Sequence, residues 1–138
     1  MKLGHNTKID LIKGVPLFSS ASKHELAEIA SIADEIDLPA GRALITEGDT
    51  GREFFVLIAG TAEVVRGGKK VADLGPGDFF GEIALIAKTP RNATITTTSP
   101  VRALVITDRA FKQLLDHSPT IAVGVLVALA ERLAPTTL

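Results

Sequence analysis

Thr61–Asp78 reads TAEVVRGGKKVADLGPGD, and its punctuation decides the fold. Two short runs, at about 61–66 and 69–74, flank Gly67-Gly68, a strong signal for a two-residue hairpin turn. Gly75–Asp78, GPGD, then turns the chain again. The same texture, short runs rich in Val, Ile, Thr and Phe between Gly, Asp and Pro, extends on both sides. Strands are predicted at about 35–38, 43–46, 53–59, 61–66, 69–74, 79–80, 93–97 and 101–106. Glu47–Gly51 (EGDTG) and Ala59-Gly60 supply further turns, with Gly48 and Gly60 read as turn glycines. About eight short strands with tight turns predict a mainly β fold with flanking helices, an eight-stranded antiparallel jelly-roll barrel. No internal repeat or low-complexity segment interrupts it.

The flanks read as helix. Ile9, Leu11 and Ile12 precede Gly14 and Pro16, which end a first helix. Ser22 and Glu25 have the spacing of a capping box, followed by Leu26, Ile29, Ala30 and Ala33 at helical intervals. Leu38–Gly41, LPAG, turns the chain. After the strands, Asp108 is read as the cap of a helix carrying Phe111, Leu114 and Leu115 on one face. Ser118-Pro119 is an N-cap with proline at the first helical position, and the helix after it runs to Ala134. That last helix is apolar nearly all round, so it must pack on the strands, on a second copy or on another domain. The expectation is one domain over 1–138: helical at 7–34, jelly roll at 35–107, C-terminal helices at 108–134.

Composition removes several classes of function. There is no cysteine, so no disulfide framework and no thiolate metal site, which fits a reducing compartment. Lys and Arg total 15 against 16 Asp and Glu, a net charge of -1, so nucleic-acid binding by this chain alone is not expected. No apolar run approaches the roughly 20 residues of a membrane span, and the N-terminus lacks the apolar core of a signal peptide. The expected setting is cytoplasmic, without membrane insertion. His5, His24 and His117 form no metal-ligand spacing, and no G-x-S-x-G elbow or Walker loop is present, so the chain is not expected to be an enzyme.

One stretch asks for a ligand. Gly77–Ile95, GDFFGEIALIAKTPRNATI, puts Glu82 and Arg91 in one of the most apolar parts of the chain. Gly81-Glu82-Ile83-Ala84 suits a tight turn whose consecutive backbone N–H groups make an anion nest. Gly81 allows close approach to the backbone and Ala84 adds little bulk. Arg91 can bind a phosphate through two parallel bonds. Glu82 offers acceptors suited to a sugar hydroxyl. A solvated Glu82–Arg91 ion pair is the plain alternative.

Phe80–Thr94, FGEIALIAKTPRNAT, closely resembles the phosphate-binding cassette of the cyclic-nucleotide-binding domain family, F-G-E-[LI]-A-L followed by P-R-x-A-[TS]. Glu47–Val64, EGDTGREFFVLIAGTAEV, resembles the family's E-G-D-x-G-x-x-F-[FY]-V-[IL]-x-x-G segment. Val15–Phe18, Leu74–Glu82 and Phe111–Pro119 resemble its flanks, so the likeness spans roughly residues 12–133. It implies a jelly roll flanked by helices that binds a 3′,5′-cyclic nucleotide and no other cofactor. Carried over by position, Arg91 binds the cyclic phosphate and Glu82 the ribose 2′-hydroxyl. Gly81, Ile83 and Ala84 give backbone groups and close approach, and Asn92 and Ala93 give contacts beside the phosphate. Ile83 and Leu85 are cassette hinge or core, with core the reading for Leu85.

Asn92 departs from the Ala, Ser or Thr common at its position. A hydroxyl there helps hold a syn guanine in this family. Asn92 is compatible with that role, with bonding phosphate, or with facing solvent. The expected preference is cAMP over cGMP. Leu129, Arg132 and Leu133 on the last helix are the candidates for a lid over the base, with core or dimer packing as the alternative for the two leucines. For Arg132 the alternative is a cation favouring the helix dipole. The 138 residues contain no kinase, pore, acetyltransferase or helix-turn-helix segment. The expectation is a ligand-gated regulatory module, free-standing or part of a larger protein, with a homodimer or an effector domain contacting the last helix. The alternative is a degenerate domain of this fold that serves only protein interaction or dimerisation.

Overall fold

The computed structural model describes residues 4–15, 18–81 and 89–133; of His5, Ala128, Leu129, Arg132 and Leu133 only the backbone is described. The chain forms two compact units, residues 33–110 and residues 1–32 with 111–138.

Residues 33–110 hold eight strands: β1 (Asp34–Leu38), β2 (Ala43–Ile45), β3 (Glu53–Ala59), β4 (Ala62–Arg66), β5 (Lys69–Leu74), β6 (Phe79–Phe80), β7 (Thr94–Thr97) and β8 (Val101–Thr107). Their bounds fall within about one residue of those predicted from the turn signals. They form two antiparallel four-stranded sheets, β1-β8-β3-β6 and β2-β7-β4-β5. This is a nested hairpin wound on itself: β4 pairs β5 at the tip, β3 pairs β6, β2 pairs β7 and β1 pairs β8. The predicted barrel is not closed. Among the described residues the sheet edges β1, β6, β2 and β5 share no ladder with one another, so the strands make an open two-sheet roll.

The tip follows from local chemistry. Gly67 and Gly68 have φ of 58° and 78°, the left-handed pair that a twist-compatible two-residue hairpin demands, and Arg66 pairs Lys69 across it. Gly48 and Gly60, with φ of 89° and 91°, are turn glycines as read. Asp34, placed in the helical region by sequence, instead opens β1, because it enters the ladder opposite Val105.

The core lies between the sheets. Phe55, Leu57, Phe80, Val101, Ala103 and Val105 meet Ile45, Ala62 and Ile95 from the other sheet. Phe55 and Phe80 stack with ring centroids 5.1 Å apart. Alternate residues Phe54, Val56, Leu104 and Ile106 are buried as well, so β3 and β8 are covered on both faces. That is why FFVLI reads as a continuous apolar run rather than an alternating one.

The other unit contains α1 (His5–Lys13), α2 (Lys23–Ile32) and α4 (Pro119–Leu133), with the greater part of α3 (Asp108–His117). Ile12, Val15, Phe18, Leu26, Ile29, Phe111, Leu114, Ile121 and Val125 are buried there, and the Phe18 and Phe111 ring centroids lie 6.1 Å apart. Gly14 caps α1 as expected. Pro16, read as a second stop, lies outside the described residues.

The predicted capping box at α2 is formed. The Ser22 N–H donates to Glu25 Oε1 (2.8 Å) and the Glu25 N–H donates to Ser22 Oγ (3.1 Å). Glu25 also accepts a bond from the Ser118 hydroxyl (2.5 Å), tying α2 to the start of α4. The cap of α3 is Thr107, whose hydroxyl oxygen accepts from the Ala110 N–H (3.2 Å). Asp108, the residue predicted for that role, sits in the first turn. On α4, Ile121 and Val125 are buried, whereas Val123, Leu126 and Val127 are exposed.

Two outcomes follow from this packing. Phe55→Ala will lower unfolding free energy by about 3–5 kcal/mol in urea titration, whereas exposed Val71→Thr will stay within about 0.5 kcal/mol. The Ser118 and Ser22 bonds hold the Glu25 carboxyl below its ordinary value of 4.5. A depressed carboxyl stabilises the fold above that ordinary value, and the contribution is lost as pH falls through the lower, folded value. Urea titrations of wild type and Glu25→Gln will therefore differ at neutral pH, and the difference will shrink as pH falls below the ordinary carboxyl value and through the lower, folded one.

Candidate functional site

The nested pairing carries the 47–53 segment to the 89–94 segment, more than 35 residues away in sequence. Thr50 and Pro90 form an antiparallel bridge. Beside it, the Gly48 N–H donates to the Arg91 carbonyl (2.8 Å) and the Arg91 N–H donates to the Asp49 carbonyl (2.7 Å). Both main-chain polar groups of Arg91 are thus held by the EGD turn, so the backbone of this residue has little freedom.

Outer contacts brace the same junction. The Glu47 N–H donates to Thr94 Oγ1 (2.9 Å), and Glu47 Oε1 accepts from the Gly67 N–H at the hairpin tip (3.1 Å). Arg66 Nε donates to the Asn92 carbonyl (3.0 Å). The β4–β5 hairpin therefore clamps both segments from one side.

The Arg91 side chain is half-buried and runs across Gly51. Nη2 donates to the Glu53 carbonyl (2.7 Å), and Nη1 makes a long contact to the Gly81 carbonyl (3.5 Å). Gly81 has φ of 84°, and a Cβ there would lie 2.8 Å from the Glu53 carbonyl oxygen and 2.9 Å from Arg91 Nη1. Only glycine meets both the conformation and the space. The two carbonyls orient the guanidinium, and a planar guanidinium is a group able to give an anion two parallel bonds.

Of the residues singled out from sequence, the structure brings Gly81 and Arg91 into contact. Asn92, adjacent to Arg91, is exposed, with its carbonyl taken by Arg66. Ala93 is buried. Glu82, Ile83, Ala84 and Leu85 lie outside the described residues. Arg132, Leu129 and Leu133 belong to α4, with their side chains outside the described set. Sequence reasoning did not single out Glu47, Gly51, Glu53, Arg66 or Thr94. Gly51 stood inside a quoted motif, but Glu53 contributes only a carbonyl, which no side-chain pattern reveals. His24 pairs with Glu28 (2.9 Å) and His117 Nδ1 lies 2.6 Å from the Gln113 carbonyl; both histidines are exposed. Among the described residues no group of three or more His, Cys, Asp or Glu is placed to hold a metal.

Comparison with known proteins bears on this geometry. Residues 35–118 match the family described as cyclic nucleotide-binding domain. The cAMP-dependent protein kinase regulatory subunit of Schizosaccharomyces pombe is 37% identical over 109 residues, covering 78% of this chain and 26% of that protein. The chain spans about a quarter of the length of the curated relatives it matches. The N-terminal domain of a transcriptional regulator from Streptomyces coelicolor A3(2) superposes with a TM-score of 0.84 at 29% identity, covering 93% of this chain and 95% of that one. The regulatory domain of Toxoplasma gondii PKA, solved with cAMP, gives 0.73 at 27% identity, covering 82% of this chain and 46% of that one. From the match across both strand segments and the arginine they hold, the chain belongs to the cyclic-nucleotide-binding domain family.

Proposed function

We propose that the chain binds a 3′,5′-cyclic nucleotide, cAMP in preference to cGMP, and acts as a ligand-gated sensor. The observation that carries this reading is the Arg91 arm. Its backbone is pinned on both sides by Gly48 and Asp49, and its guanidinium is directed by the Glu53 and Gly81 carbonyls. Arg91 takes the cyclic phosphate. Glu82 accepts from the ribose 2′-hydroxyl, and Gly81, Ile83 and Ala84 let the ligand approach the backbone. Asn92 and Ala93 flank the phosphate, and Arg132 contacts the base.

Preference for cAMP is supported by the kinase regulatory subunits that the chain resembles and by the absence of a hydroxyl at position 92. The nucleotide shifts the chain between two states only by its difference in affinity for them. Output passes through α4, where exposed Val123, Leu126 and Val127 offer an apolar face to a second copy or an effector domain. A cytoplasmic setting and a non-catalytic role complete the proposal; among the described residues no helix is long and apolar enough to cross a membrane.

Thermal unfolding of nucleotide-stripped protein tests this. At a hundred times Kd, cAMP will stabilise wild type by about 2.7 kcal/mol, a Tm rise on the order of 10 °C. Bonds to a charged group contribute about 1.5–3 kcal/mol each, so Arg91→Ala will lose affinity by roughly a hundredfold or more and the rise will vanish. No rise with millimolar cAMP or cGMP would leave the chain as an interaction module of this fold.

A further inference from the structure

We propose that Gly51 is a positioning residue for Arg91: its missing side chain is the seat in which the anion-binding arm lies. This rests on the binding role given to Arg91 above. Gly51 is buried, yet its φ lies outside the left-handed region, so the backbone itself does not call for glycine. The demand comes from space. A Cβ on Gly51 would lie 2.0 Å from Arg91 Nε, 2.1 Å from Cζ and 2.6 Å from Cδ. All three are atoms of the outer half of one flexible side chain.

Gly60 shows the contrast. There φ is +91°, and a Cβ would meet the Pro100 carbonyl oxygen at 2.2 Å and Val101 Cα at 2.9 Å, both main-chain atoms that cannot move aside. A side chain at Gly60 therefore strains the fold. At Gly51 it expels the arginine and leaves the backbone as it is.

Among the described residues the seat has three walls. Gly51 lies under the guanidinium, the Glu53 carbonyl holds Nη2, and the Gly81 carbonyl faces Nη1. A long charged side chain loses much rotamer freedom when it is fixed, and fixing it before the ligand arrives removes that cost from binding. Losing the seat while keeping the charge is expected to weaken cAMP binding by about tenfold or more.

The test compares wild type, Gly51→Ala, Gly60→Ala, Arg91→Ala and the Gly51→Ala/Arg91→Ala double variant. Three quantities are measured: the urea midpoint without ligand, cAMP affinity by titration calorimetry, and the Arg91 Nε–H NMR resonance of ligand-free protein, assigned by its loss in Arg91→Ala. The seat predicts that Gly51→Ala unfolds near the wild-type urea concentration whereas Gly60→Ala unfolds earlier. It predicts that Gly51→Ala shifts the Arg91 resonance and raises the cAMP Kd about tenfold or more. In the Arg91→Ala background it predicts no further loss from Gly51→Ala. An unchanged resonance overturns the seat, and so does early unfolding like that of Gly60→Ala. A further loss of affinity in the double variant also overturns it, because the effect would then not pass through Arg91. If wild type binds neither cAMP nor cGMP, the binding role fails, while the ligand-free resonance still decides whether Gly51 seats the arm.

Discussion

The paired bonds between the EGD turn and Arg91 fix everything else at the site. Gly48 N–H reaches the Arg91 carbonyl, and Arg91 N–H reaches the Asp49 carbonyl. Two main-chain bonds cannot choose a side chain, but they set where the Cα–Cβ vector of residue 91 points. Once it is set, the arm crosses Gly51 and meets the carbonyls of Glu53 and Gly81. The two motifs are therefore halves of one object. The 47–53 segment supplies the mount and the 89–94 segment supplies the charge.

The fold brings these halves together through its winding. In a nested hairpin, the segment after β2 must face the segment before β7, because β2 and β7 are partners. The inner tip is fixed by Gly67-Gly68, and that same tip then reaches back to Glu47 and, through Arg66, to Asn92. The turn that nucleates the inner hairpin thus also braces the site. Burial of β3 and β8 on both faces holds this frame rigid, since Phe54, Leu57, Leu104 and Ile106 are almost wholly excluded from water.

Much of this was legible in the sequence because it is local. Turn glycines and short apolar runs placed eight strands to within about a residue, and Ser22 with Glu25 announced their capping box three residues apart. What was not legible depends on contacts between distant residues. The Ser118 hydroxyl reaches Glu25 across 93 positions, and a Cβ on Gly51 would run into an arginine forty positions on. Closure into a barrel was expected from the number of short strands and their tight turns, whereas closure depends on which edges find partners. Thr107 displaced Asp108 as a cap because the helix began one residue earlier than its composition suggested. The lone arginine in an apolar stretch stood out as a candidate, but the carbonyls that hold its guanidinium belong to Glu53 and Gly81, and no side-chain pattern points to a main-chain acceptor.

The measurement that tests the central claim most directly is cAMP titration of nitrogen-15-labelled, nucleotide-stripped protein followed by amide NMR. The account predicts saturable, one-to-one shifts concentrated at Gly48–Glu53, Gly81 and Arg91–Thr94, with cGMP giving the same map at higher concentration. Shifts that do not saturate, or that fall away from these segments, would contradict it.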